Sequence, residues 1–166
     1  MDAPVLLADP PVTDLADHED RGGLTGLRRA YELGPGATIQ EVILSGLRGR
    51  GGGGFPTGRK WQSVRDAVGA DDEDGGADRA FVVCNGAEGE PGSLKDRTLM
   101  AHRPHLVIDG AVLAAEAIGA DEIVVYVGEE HGSAIAAMRE AIDDRRRGIR
   151  PLTRLVTAPV GYVAGE

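Results

Sequence analysis

From residue 80 onward the chain alternates short apolar runs with longer helix-patterned stretches, and this alternation restricts the fold more than any other feature. Ala80 to Cys84 is a compact apolar run that reads as a buried strand. Pro104 to Ile118 is rich in Ala, Leu and Val at helical spacing, with Pro104 in the first turn and Gly119 just past the end. Glu122 to Val127 reads as a second buried strand. Ile135, Met138 and Ile142 mark a second helix, and Leu152 to Val156 is a third strand candidate. Strand, helix, strand, helix, strand predicts an α/β fold with a parallel sheet, because parallel neighbours need crossovers and crossovers of right-handed sense are favoured. Ligands of open α/β sheets gather beyond the carboxyl ends of the strands. At the first such end stands Asn85-Gly86-Ala87-Glu88-Gly89-Glu90-Pro91-Gly92, a turn-forming sequence with two carboxylates.

The most unusual stretch lies upstream, from Ser45 to Trp61. Six glycines between Gly46 and Gly54 leave the backbone nearly free of β-carbons, so it can reach positive φ and approach a ligand closely. Arg48, Arg50, Arg59 and Lys60 bring positive charge to a chain whose formal net charge is −9. Backbone amides and cations together suit an anionic guest, and a phosphate is the natural candidate. Gly49-Arg50-Gly51-Gly52-Gly53-Gly54 satisfies the G-x-G-x-x-G string, but the dinucleotide fingerprint needs a strand before it, and the preceding residues are helix-patterned. A P-loop needs Lys and then Ser or Thr after its last glycine, whereas Gly58 is followed by Arg59, Lys60 and Trp61. A flexible Gly-rich linker is the bland alternative; interleaved Arg, Phe55-Pro56 and Trp61 count against it.

Before the loop, residues 1–23 are rich in Asp and Pro and read as a poorly ordered arm lying along a partner or the domain surface, leaving 24–166 as one α/β domain. Leu24 to Leu33 predicts a short helix stopped by Gly34-Pro35-Gly36. Thr38 with Glu41 forms a capping-box pattern for a helix leading into the glycine loop. Thr57 or Gly58 opens another helix, with Trp61, Val64 and Val68 on its apolar side and its positive dipole end facing the loop. Trp61 reads as a core residue. Asp71 to Asp78 is an acidic turn. Lys95-Asp96-Arg97 and Arg145-Arg146-Arg147 read as surface charge clusters.

Length and composition narrow the chemistry. At 166 residues the chain is large enough for a core without covalent staples. No apolar run has the length to cross a bilayer, and no secretory signal is visible, so a cytoplasmic location is expected. The negative balance opposes nucleic-acid binding. Cys84 is the only cysteine. It rules out an internal disulfide, argues against a cysteine-ligated cluster in this chain, and reads as an inert small hydrophobe. Redox chemistry here would need an organic cofactor. His18, His102, His105 and His131 show no metal-ligand spacing, and no metal site is expected.

Taken together, residues 45–61, Cys-Asn-Gly-Ala-Glu-Gly-Glu-Pro-Gly at 84–92, Lys95-Asp96-Arg97 and Gly-Tyr-Val-Ala-Gly-Glu at 161–166 resemble the flavin-binding, NADH-oxidising component of respiratory complex I and the diaphorase subunits of NAD-linked hydrogenases and formate dehydrogenases. The resemblance covers about residues 38–166 and only the first part of the family's chain. It implies a Rossmann-like FMN-binding domain, incomplete relative to the family, with the glycine loop between helices. Gly49, Arg50, Gly51, Gly52, Lys60, Asn85, Glu88, Tyr162, Gly165 and Glu166 would hold FMN, and Phe55 and Glu90 would contact NADH. The implied reaction is hydride transfer from NADH to FMN and on to an electron-transfer chain, with no protein group as catalyst. The 4Fe-4S cluster would belong to a part of the family's chain that lies beyond this sequence. The implied partners are other subunits of an NADH-oxidising complex, including a thioredoxin-like iron-sulfur subunit, which would hold the chain peripherally at the inner face of a membrane without insertion. This sequence has Ala87 where the family pattern has Asp, Ser63 in place of a second Phe, and Ala164 where Cys is usual. Those departures keep an alternative open, a non-catalytic nucleotide-binding or assembly module, and little turnover is expected of the isolated chain.

Overall fold

The computed structural model describes residues 6–7, 10–50, 53–68, 79–88, 92–146, 148 and 151–159. Gly51, Gly52, the 71–78 turn, Glu90, Arg147, Tyr162, Gly165 and Glu166 lie outside the described residues. The elements run α1 (Leu15–Asp20), α2 (Thr25–Leu33), α3 (Pro35–Leu44), α4 (Thr57–Val68), β1 (Phe81–Gly86), α5 (Lys95–His102), α6 (Pro104–Ile118), β2 (Glu122–Gly128), α7 (Gly132–Arg145) and β3 (Leu152–Ala158).

The three strands form one parallel sheet in the order β1-β2-β3. The α/β alternation therefore appears as the sequence patterning requires. Cys84, Val125 and Leu155 stand side by side across the sheet, on the face that joins Ile108, Ala111, Val112 and Ala115 of α6 and Met138, Ala141 and Ile142 of α7 in the core. Burying a side chain such as Ile108 or Val125 contributes roughly 1.5–3 kcal/mol. Pro104 starts α6 at N1, and Gly119, at φ +78°, ends it in the left-handed conformation that terminates helices.

Both crossovers deliver their helices to the same face. Strands laid down in one direction with crossovers of one hand must do this, and α5, α6 and α7 all pack on the sheet. The consequence corrects the reading of Ala80–Cys84 as a buried strand. β1 is an edge strand whose opposite face is open among the described residues, with Phe81 45% and Val83 58% exposed. β2, in the middle, is buried as expected.

Four other expectations change. The Thr38–Glu41 pair does not cap a helix: α3 starts three residues earlier, with Pro35 at N1 after Gly34 at φ +78°. Thr38 lies inside it, donating its hydroxyl to the Gly34 carbonyl at 2.8 Å. Proline presets the helical φ, so the backbone outcompetes the side-chain pattern. The Lys95-Asp96-Arg97 cluster opens α5, a helix with too short an apolar stripe to show in the sequence. Within the stretch expected as a loose arm, α1 packs on the body, with Val12 1% and His18 1% exposed. Trp61 is half-buried rather than core.

Candidate cofactor site

The glycine loop is closed at its base by backbone pairing. Arg48 and Pro56 form an antiparallel bridge, the Gly49 amide donates to the Phe55 carbonyl at 2.9 Å, and the Thr57 amide donates to the Leu47 carbonyl at 2.9 Å. Arg48 serves the loop itself: its Nε donates to the Gly54 carbonyl at 2.7 Å. Gly46 and Gly54 take positive φ, +68° and +53°, where a side chain would be strained. The loop then feeds straight into α4 at Thr57, as the sequence predicts.

The first turn of α4 is set by one close approach. Gly58 is buried against α3, where an added Cβ would sit 2.6 Å from Ile43 Cγ1 and 2.7 Å from its backbone nitrogen. Only glycine lets the two helices meet there. The amino end of α4, with its partial positive charge, is thereby fixed at the mouth of the loop. Arg50, Arg59 and Lys60 are exposed, and none of the three has a carboxylate partner among the described residues. Phe55 is 60% exposed. The cations are therefore placed to meet an anion.

The rim beyond β1 is organised differently. Asn85 accepts the Ala87 amide at 3.1 Å, which turns the chain as it leaves the strand. Glu88 has a shielded carboxylate, 1% exposed, in a residue that is half-buried overall. One oxygen accepts from the Ser93 hydroxyl and, at 3.0 Å, from the Lys95 ammonium; the other accepts the Asp96 amide at 3.3 Å. Burial works to raise the Glu88 pKa, but Ser93, Lys95 and the Asp96 amide together outweigh it and hold the carboxyl below its ordinary value. Lys95 is raised, first by its bond to Asp96 and then by Glu88. Glu88 thus ties the end of β1 to the start of α5, with both oxygens occupied.

Arg50 and Lys95 share a cleft of about 680 Å³ with Leu6, Leu7, Leu94 and Leu99. It brings the glycine loop beside α5. Lys60 and Glu88 are not ion-paired with one another. Cys84 is half-buried at the sheet, where burial pushes its thiol up to about 11, leaving it protonated and inert. No group of three His, Cys, Asp or Glu that could hold a metal occurs among the described residues.

One cluster was not apparent in the sequence. Arg145, read as part of a surface charge run, is 8% exposed and pairs with Asp109 at 2.6 Å. His18, from the first helix, meets the other Asp109 oxygen at 2.9 Å. Ninety-one residues separate His18 from Asp109, and no local pattern reports so distant a pairing. The only hint was an Asp inside the otherwise apolar 104–118 helix.

A family model described as the Nuo51 FMN-binding domain matches residues 42–166. A component of the NADH-quinone oxidoreductase of Rhizobium meliloti is 43% identical over 143 residues, 84% of this chain and 32% of the relative. The NAD-reducing hydrogenase HoxS subunit alpha of Cupriavidus necator is 42% identical over 113 residues, 66% of this chain and 17% of the relative. Among solved structures, an NAD+-reducing [NiFe]-hydrogenase in the H2-reduced state aligns with a TM-score of 0.64 at 36% identity, covering 80% of this chain and 22% of that one. The chain thus spans a third or less of the length of these relatives. With three quarters of its residues inside the matched region, it belongs to the Nuo51 FMN-binding domain family.

Proposed function

We propose that this chain is the FMN-cradling portion of an NADH-oxidising flavoprotein. The observation that carries the reading is the glycine loop: pinned at its base, opening onto the amino end of α4, and flanked by three exposed cations with no carboxylate partner among the described residues. A phosphate dianion is best held by backbone amides together with an ammonium, and this donor set fits the FMN phosphate. Lys60 and Arg50 bind it, with Gly49, Gly51 and Gly52 permitting close approach. Asn85 and the 162–166 segment, through Tyr162, Gly165 and Glu166, complete the cofactor contacts, while Glu88 holds the rim loop. Phe55 and Glu90 meet NADH. Bound FMN supplies the acceptor for a hydride from NADH, and the protein supplies stacking distance and charge.

The names of the relatives extend the reading to a multi-subunit setting. Electrons leave for partner subunits, among them a thioredoxin-like iron-sulfur protein, and the 4Fe-4S cluster comes from polypeptide other than these 166 residues. No helix among the described residues is long and apolar enough to cross a membrane, which suits peripheral attachment through those partners. A second reading, a binding or assembly module without turnover, is favoured by Ala87 and Ser63, which remove a polar flavin contact and one wall of the NADH clamp.

Titration with FMN, followed by flavin fluorescence, tests the loop. Lys60→Ala removes one charge-assisted hydrogen bond of roughly 1.5–3 kcal/mol, so FMN affinity falls by about tenfold or more. Equal affinity in both proteins would overturn the assignment. An NADH to ferricyanide assay of the FMN-loaded chain separates the readings: sustained turnover excludes the module, and binding without turnover supports it.

A further inference from the structure

Residues 10–24 form a strap over the amino end of α6, and one buried histidine sits beneath it. The Val12 amide donates to the His102 carbonyl at 2.8 Å. His18 bonds Asp109 at 2.9 Å. Leu24, in the left-handed region at φ +65°, is held there by its amide bond to Asp109 at 3.0 Å. Gly23 fits only as glycine, since an added Cβ would lie 2.3 Å from the His18 ring.

Under this strap His105 is fully buried, its ring stacked on His18 at 5.7 Å between centroids. Neither His105 nitrogen has a well-formed hydrogen bond. The charged groups around it are unequal. Arg145 of α7 and His18 of α1 oppose a positive charge on the ring, while Asp144 of α7, at 3.9 Å and half-exposed, and the Thr13 backbone of the strap favour it. Asp109 of α6 is already committed to Arg145, His18 and the Leu24 amide. Burial is the largest influence, followed by Arg145 and His18, and together they lower the His105 pKa below its ordinary 6.5.

We propose that His105 is a proton-operated latch: the strap of residues 10–24 stays docked while the ring is neutral and undocks when the ring takes up a proton. In the released state the ring is solvated and returns to about 6.5. Docking is therefore strongest above that pH and weakens as pH falls from there toward the lower docked value. Leu6 and Leu7 lead into the strap and line the cleft shared by Arg50 and Lys95. Undocking therefore loosens one wall beside the glycine loop. The latch stands on this cluster alone and holds whether or not the loop binds FMN.

Amide hydrogen exchange on the full chain, corrected for intrinsic chemistry, tests it between about pH 7.5 and about pH 5.5. Protection of the Val12 and Leu24 amides is expected to fall toward the roughly tenfold that a single proton allows over this range, while Ile108 and Val125 keep theirs. In His105→Gln the fall is expected to shrink below about threefold, because the amide cannot titrate. Constant Val12 protection in the wild type overturns the latch, as does its loss together with Val125 or an undiminished fall in His105→Gln. Should that variant not fold, histidine carbon NMR on the wild type decides. Titration of His105 in step with Val12 exposure supports the latch, and titration at or above pH 6.5 with the strap docked overturns it.

Discussion

The glycine loop and the strap treat charge in opposite ways. Around the loop Arg50, Arg59 and Lys60 are left in solvent, without carboxylate partners among the described residues. Beneath the strap Arg145 and Asp109 are paired out of solvent and crowded by two histidines. Exposed, unpaired cations cost little to keep and contribute little to stability, so their value lies in what they can attract. A buried pair is expensive to break, because removing one partner leaves the other charge desolvated. The contrast separates charges left open to solvent from charges built into the fold, and it does so within a single chain.

The comparison is broken most directly at Asp109. Asp109→Ala strands the Arg145 guanidinium and two further donors, and a loss of about 3–5 kcal/mol in urea unfolding is expected. A loss under about 1 kcal/mol would place the cluster among the surface pairs. Gly58→Ala comes next: its Cβ meets Ile43 backbone as well as side chain, so α3 and α4 must separate at a cost of about 1–3 kcal/mol. The same substitution tilts the mouth of the loop, so FMN affinity falls along with stability. Lys60→Ala sharpens the contrast, with stability expected to stay within about 0.5 kcal/mol while FMN affinity drops.

Glu88 lies between the two cases, shielded yet on the rim. Because its folded-state pKa is held below the ordinary 4.5, its contribution is complete above that pH and is lost as pH falls through the lower folded value. Glu88→Gln is expected to flatten the acid limb of stability measured by thermal unfolding across that window; an unchanged limb would mean that the tie to α5 does not form. The smallest effect belongs to Arg21→Ala. Its pair with Asp17 on α1 is exposed on both sides, so the change should stay below about 0.5 kcal/mol in the same assay.

The sequence alone carried the sheet. Compact apolar runs alternating with stretches of helical spacing mark β1, α6, β2, α7 and β3, because each element must bury apolar surface and that need is written locally. It also carried the glycine loop, since missing β-carbons and clustered cations are chemical facts before any folding. What it did not carry was Arg145, which sits in a run of three arginines and behaves as a surface residue in any local view. Only the arrival of Asp109 from another helix and His18 from the first one makes it a core residue. The same holds for Glu88, whose tie to Ser93 and the Asp96 amide exists only once α5 has folded against the turn.

Local pattern determined the alternation of β1, α6, β2, α7 and β3 and the β-carbon-poor, cation-rich character of the glycine loop. Tertiary structure decided that α6 and α7 lie on one side of the sheet, that β1 is an edge, and that residues 10–24 are bound down. The physical reason is range: a segment's own side chains set its periodicity, whereas whether a charge is buried, paired or open depends on groups dozens of residues away, which meet it only when the chain has closed.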